Sequence, residues 1–324
     1  MQAEEFEVTE RLPFAPEGEG NHWLVRVRKI GVNTDRVAKD LARLAGCRPR
    51  DVGYAGLKDR HAAAVQHFTV PADRVKTAPA DWRGPSWAVV GVDRVRKKLQ
   101  RGVLAGNAFR LLLHMAPGAR GAAGARFERA MRAGVPNYFG PQRFGREGGN
   151  LSGARRWFAQ GREPGRRERG LYLSAARSYL FNRILATRIA AGSWDRLLPG
   201  ELALFKDSNS GFVVSDPAAE RERWAVGDLH PSGPLPGTDG RDAEGEAAAL
   251  EAAVLGQEEE LVAGLREREV RAHRRALRVI PAEAGWRPAG DGIRLEFALP
   301  AGAFATSVVR EVIAPEEAGP EAIS

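Results

Sequence analysis

One cysteine, Cys47, stands in a chain of 324 residues, which excludes an internal disulfide and any zinc site built from several thiolates. No apolar run approaches the roughly 18 residues that a membrane span requires. The first residues, MQAEEFEVTERLPF, carry neither a basic leader nor a continuous apolar stretch, so no secretory signal or transit peptide is read there. The six histidines, His22, His61, His67, His114, His230 and His273, show no zincin spacing and no cysteine partner, and no metal is expected. A Gly-x-x-x-x-Gly-Lys-Ser/Thr loop, a Gly-x-Gly-x-x-Gly turn after a strand and a Gly-x-Ser-x-Gly elbow are all missing. Nucleotide cofactors and a serine nucleophile are therefore not expected. A reducing, cytoplasmic location fits the single thiol.

What is present is an ordinary globular composition, 43% hydrophobic and 28% charged, over a length that suits about two domains. The charge is unevenly spread. Residues 1–110 carry a net +7, 111–200 a net +11, 201–270 a net −10 and 271–324 a net zero. Clustered cations gain affinity for phosphates by releasing condensed counterions, so a polyanion is the leading partner class. The 42 arginines against 7 lysines are also what a GC-rich coding bias produces, and a solvated basic surface is the plainer reading. That bias explains arginine over lysine but not a window at +11.

Alternation in His22–Lys29 predicts a strand with one apolar and one basic face. Asn33 or Thr34 is placed to cap a helix to about Ala45, with Val37, Leu41 and Leu44 on one stripe and Gly46 ending it. Further strands are predicted over 64–70, 87–95 and 107–114, and helices over 125–133, 151–160 and 174–191. Residues 208–245 hold most of the turn signals, 246–268 read as an acidic helical stretch, and strand character returns at 276–280 and 293–299. Residues 305–313 close as a short element, followed by an acidic tail from Pro315 that is expected to fray. The order predicts an α/β (α+β) chain in which one domain interrupts another: 1–150 and 271–324 as the outer domain, 151–270 as the insertion.

Three clusters could carry chemistry. In Gly53-Tyr54-Ala55-Gly56-Leu57-Lys58-Asp59-Arg60-His61 one carboxylate is bracketed by cations, which favour its ionised form. Asp59 is thus a candidate nucleophile or base, although an Asp between Lys and Arg is more often a surface ion pair. Pro136-Asn137-Tyr138-Phe139-Gly140-Pro141-Gln142-Arg143-Phe144-Gly145 combines aromatics, amides and an Arg, the equipment for holding an unstacked base, or equally for anchoring a loop in a core. The third, Ala175 to Asn182, puts Arg177 and Tyr179 on a helix and reads as scaffold. Cys47, beside Arg48 at a helix end, reads as a bystander thiol.

GYAGLKDRHA at 53–62, PNYFGPQRFG at 136–145, LSAARSYLFN at 173–182 and LPAGAFATSVVREVI at 299–313 together resemble the signature blocks of the tRNA pseudouridine synthase D (TruD) family. The resemblance also takes in 17–34 and 106–113. It implies cofactor-independent conversion of uridine 13 of certain tRNAs to pseudouridine, in a pseudouridine-synthase catalytic domain with a mixed, largely antiparallel sheet, interrupted by an α/β insertion domain, with tRNA in the cleft between them. The match of blocks makes Asp59 the catalytic carboxylate, acting at C1′ as the glycosidic bond breaks. It makes Phe139 the aromatic stacked on the target base, Asn137 and Gln142 groups that position base or loop, and Val309 and Arg310 wall and brace of the pocket. The stretch EEFEVTERL carries Thr9 where the family often has a cation near the carboxylate. The cation that orients Asp59 is left open between Lys58, Arg60, Arg143 and Arg310. The acidic 201–270 segment is expected to face away from RNA, and a monomer with no metal and no membrane partner is expected. The alternatives are an RNA-binding protein without turnover, and an enzyme for messenger RNA or another tRNA position.

Overall fold

The computed structural model describes residues 5–75 and 78–313. The acidic tail expected to fray from Pro315 lies outside the described residues. The chain divides into two compact units, each discontinuous in sequence: residues 1–124 with 281–302, and residues 125–280 with 303–324.

The first unit is organised by a nine-stranded mixed sheet. Its strands run in the spatial order Ala282–Ala289, Gly292–Pro300, Gly106–His114, Phe6–Arg11, Ala63–Pro71, His22–Lys29, Trp87–Val95 and Arg83–Gly84, with Gly53–Tyr54 paired beside Ala63–Pro71. Every pairing is antiparallel except Phe6–Arg11 with Ala63–Pro71. The helix Thr34–Leu44 packs its Val37, Ala38 and Leu41 stripe on Val25, Val27, Phe68 and Val70 from the sheet. Burying such a stripe is what stabilises a short helix that is marginal alone.

The expected strands at 22–29 and 87–95 and the helix from Thr34 are found at those positions. Four strands of this sheet went unread in the sequence, the short Gly53–Tyr54 and Arg83–Gly84 and the longer Phe6–Arg11 and Ala282–Ala289. The last contains Gly285 and Pro288 and stands at the sheet edge, where a missing N–H is tolerated. One expectation is corrected. The basic face of His22–Lys29 does not include Lys29, whose side chain is fully buried while Arg26 and Arg28 are exposed.

The second unit is mainly helical, with a long helix Arg166–Ala190 against Gly149–Gln160 and Glu259–Glu267. Leu180, Ala176, Ala154, Leu261 and Leu265 make that core. Small sheets flank it, including Ser232–Leu235 with His273–Ala276 and Val135–Pro136 with Arg278–Val279. Two of its arginines are matched to buried carboxylates, Arg188 to Glu201 at 2.8 Å and Arg155 to Glu258 at 2.7 Å.

Candidate active site

The Asp59 loop is held from beneath by three buried polar side chains of the first unit. Gly53, where the loop begins, has no room for a Cβ, which would come within 2.4 Å of Thr69 Oγ1 and 2.5 Å of the Leu99 carbonyl. Gln66 Nε2 donates to the Gly56 carbonyl at 2.7 Å, and Thr34 Oγ1 donates to Gln66 Oε1 at 2.9 Å. The Lys58 N–H in turn donates to Thr34 Oγ1 at 3.1 Å.

The third is Lys29. Its ammonium donates to the carbonyls of Asp59 at 2.7 Å, Val32 at 3.0 Å and Lys58 at 3.4 Å. All three protons of the ammonium are thereby used. Burial pushes the amine down to about 8, opposed by the charge of Asp59 and assisted by that of Lys58. A cation buried on carbonyls is costly unless each donor finds its acceptor, so this arrangement fixes the loop backbone rather than tolerating alternatives.

Asp59 itself is exposed, and its Oδ1 accepts the His61 N–H at 2.8 Å, which sets the side chain against its own turn. Of the cations considered for it, Lys58 is bound to Glu10 Oε1 at 2.8 Å, inside the unit. Glu10 also accepts from the His67 backbone N–H at 2.8 Å. Burial alone would raise the Glu10 carboxyl, but His67 and Lys58 outweigh it and hold it below the ordinary value. Arg60 donates to the Gly31 carbonyl at 3.1 Å. Lys29, not considered from the sequence, donates to the Asp59 carbonyl and feels the charge of its carboxylate.

In the second unit the aromatic loop is pinned at both ends. The Asn137 N–H donates to the Leu277 carbonyl at 2.8 Å, its Nδ2 to the Ala276 carbonyl at 2.9 Å, and its Oδ1 accepts Arg275 Nη2 at 2.5 Å. Asn137 is 7% exposed and holds the loop to the neighbouring strand. Asn182 brackets Phe139 with a reciprocal pair, accepting its N–H at 2.9 Å and donating to its carbonyl at 3.0 Å. The Phe139 ring is set edge-on to Phe181 at 5.5 Å and to Phe304 at 6.3 Å, and the Arg275 and Arg143 guanidiniums lie 4.1 and 5.3 Å from its centre. A half-buried ring with two guanidiniums can take a planar base by stacking. Gln142 is exposed at the loop surface. Val309 is half-buried and Arg310 exposed on the helix Ala305–Val312, and the charge of Arg310 acts on Tyr138.

The family model for tRNA pseudouridine synthase D matches residues 1–152 and 165–312. The chain belongs to the tRNA pseudouridine synthase D family. It is 45% identical over 329 residues to the tRNA pseudouridine synthase D of Nitrosococcus oceani, covering 97% of this chain and 90% of that protein. It is likewise 45% identical over 320 residues to that of Methylococcus capsulatus, with the same coverage. The fold is similar to the crystal structure of a Methanosarcina mazei protein described as tRNA pseudouridine synthase D, with a TM-score of 0.71 at 23% identity over 98% of this chain and 94% of that one. The mixed α/β class expected from the sequence is thus the class of this family's fold.

Sequence reading of this family member missed Lys29, Glu10, Asn182 and Arg275. Lys29 was read as one more basic residue on an alternating strand. The available signal was the alternation itself, which puts it on the face of Val25 and Val27. Cys47 is half-buried and burial, with Asp51, pushes its thiol up, as suits a bystander.

Proposed function

We propose that this member of the tRNA pseudouridine synthase D family isomerises uridine 13 of tRNA to pseudouridine, with Asp59 as the catalytic carboxylate. The N1–C1′ bond of the nucleotide breaks while Asp59 acts at C1′ as nucleophile or base. The freed uracil turns, C5 bonds to C1′, and the C5 proton is exchanged for one at N1, so the product is an isomer and no co-reactant is consumed. Phe139 takes the base by stacking, with Arg143, Gln142 and Arg310 beside it, and Asn137 holds the loop that carries it. Lys58 and Arg60 contribute through the loop backbone and its packing. On this reading residues 151–270 are the inserted domain, within a catalytic domain of 1–150 and 271–324.

The observation that carries the reading is a solvent-exposed carboxylate on a loop whose backbone is fixed by Lys29, Thr34 and Gln66, within a family match that spans nearly the whole chain. Exposure with a rigid backbone is what a group that must meet an external nucleotide requires. The test uses a tRNA transcript with C5-tritiated uridine: release of tritium to water, stoichiometric with one uridine per tRNA, is expected. Binding of the transcript with no release would instead favour the RNA-binding alternative.

A further inference from the structure

The second unit treats its buried arginines in two ways. Arg188 and Arg274 each face a carboxylate, that of Glu201 and Glu251 respectively. Arg278 gives its protons to the Trp224 and Leu229 carbonyls and to His230. Arg143 and Arg177 follow neither pattern. Among the described residues neither pairs with a carboxylate; Arg143 Nη1 donates only to Ser174 Oγ, at 3.0 Å, and Arg177 Nε is buried with no acceptor.

These two side chains are neighbours of one construction. Ser174 and Arg177 lie three residues apart on the helix Arg166–Ala190, so they share a face, and Phe181, one further turn along, supports Phe139. Across from that face runs the strand His273–Ala276. Its alternation turns Arg274 to Glu251 and Ser232 and leaves His273 and Arg275 on the opposite side. There Arg275 lies 4.1 Å from the Phe139 ring, with Arg143 on the same ring at 5.3 Å. Burial depresses the guanidiniums of Arg143 and Arg177, and burial with the charge of Arg143 pushes Arg275 down to about 9. His273 is lowered by burial and by the fields of Arg177 and Arg271. Arg143 and Arg177 are half-buried cations with no acid beside them among the described residues, which destabilises the free protein, and a bound anion removes that penalty.

We propose that Arg143 and Arg177, with Arg275 between the Phe139 ring and the cluster, form a binding site for one backbone phosphodiester of the RNA next to the stacked base. The guanidinium fork suits a phosphate better than an ammonium would, by two parallel N–H bonds. The site sets the register of the strand entering the Phe139 loop. This inference rests on RNA being the substrate.

The test is a coupling experiment on tRNA assembled with a single uncharged methylphosphonate linkage, moved one position at a time around the target uridine. For the unaltered protein, one linkage is expected to weaken binding about tenfold, the scale of one charge-assisted contact. Arg177→Gln should weaken binding to unmodified tRNA by a similar factor, with a salt slope shallower by about one. With that variant the critical methylphosphonate should cost nothing more. Arg143→Gln is run beside it, so that a folding defect in one variant leaves the other to decide, and Arg177→Lys should regain part of the loss. If every linkage costs the variants what it costs the unaltered protein, the phosphate site is wrong even though pseudouridine still forms. Competition by millimolar inorganic phosphate without any linkage dependence would likewise overturn it, as a site for a free ion. Absence of both tRNA binding and pseudouridine would instead bring down the functional reading on which the site rests.

Discussion

The Lys58 ammonium lies 2.8 Å from Glu10 Oε1, with the two side chains 6% and 0% exposed, so the cation beside Asp59 in sequence is committed to the strand Phe6–Arg11. Removing one member of such a pair leaves an uncompensated charge. Lys58→Met is expected to cost about 3–5 kcal/mol, and adding Glu10→Gln should return much of it. Denaturant unfolding of the single and double variants checks this; a single variant within about 1 kcal/mol of the unaltered protein would contradict the pairing.

Lys29 is expected to act on turnover through the loop it holds. Its amine, ordinarily near 10.5, stands at about 8, so raising the pH through 8 removes the charge and one of the three donors to the Val32, Lys58 and Asp59 carbonyls. The unfolded chain keeps its proton to higher pH, so this group's contribution to stability is least favourable below 8 and recovers as the pH rises towards 10.5. Turnover should therefore fall through pH 8 while stability does not. Lys29→Met should lower kcat more than KM and abolish that alkaline limb, which pH–rate profiles of both proteins would reveal. An unchanged limb in the variant would assign it to another group.

Asn182 is expected to govern Phe139. Asn182→Ala removes both bonds to the Phe139 backbone, and two lost hydrogen bonds of ordinary strength amount to about 1–3 kcal/mol. RNA binding measured by filter retention should weaken, whereas Asn182→Asp, which keeps the acceptor only, should lie between. Equal binding by all three proteins would show the ring to be held by its aromatic neighbours alone.

His230 provides an acid-side prediction. Burial, with Arg278, lowers it from 6.5 to about 4, and Arg278 Nε donates to its Nδ1 at 3.4 Å, which requires the neutral ring there. Its folded value lies below its unfolded one, so its contribution is complete above 6.5 and is lost as the pH falls towards 4. The scale is roughly 3 kcal/mol at most. Unfolding free energies between pH 7 and 4.5 should fall less for His230→Gln than for the unaltered protein; parallel curves would remove His230 from the acid response.

Much of the frame was legible because local signals and packing agree. The alternation of His22–Lys29 and the Val37, Leu41 stripe state a strand and a helix that the core then uses. The strand Ala282–Ala289 was not legible, since its sequence has Gly285 and Pro288 and its place at an edge comes from pairing with Gly292–Pro300, more than 100 residues from the Gly106–His114 strand that completes the ladder. Asp59 and Phe139 stand out in the sequence as candidates, from residue type in recognisable blocks. Their supports do not. Glu10 and Lys58 are 48 residues apart, and Phe139 and Asn182 are 43 apart, so only the fold brings each pair together. Lys29 is the exception at short range, because following Arg28 directly it falls on the face of Val25 and Val27, a signal the sequence carries.

The basic windows over residues 1–200 make tRNA affinity salt-dependent in this account, with log K falling linearly against log salt. A flat response between about 50 and 200 mM would contradict binding through phosphates.

The most direct test of the central claim is a pseudouridine map of unmodified tRNA transcripts bearing uridine at position 13, treated with protein, labelled with carbodiimide and read by reverse-transcription stops. The account predicts a stop at position 13 that is lost with Asp59→Asn while tRNA binding stays nearly unchanged. A stop that persists with Asp59→Asn, or no stop despite tight binding by the unaltered protein, would contradict it.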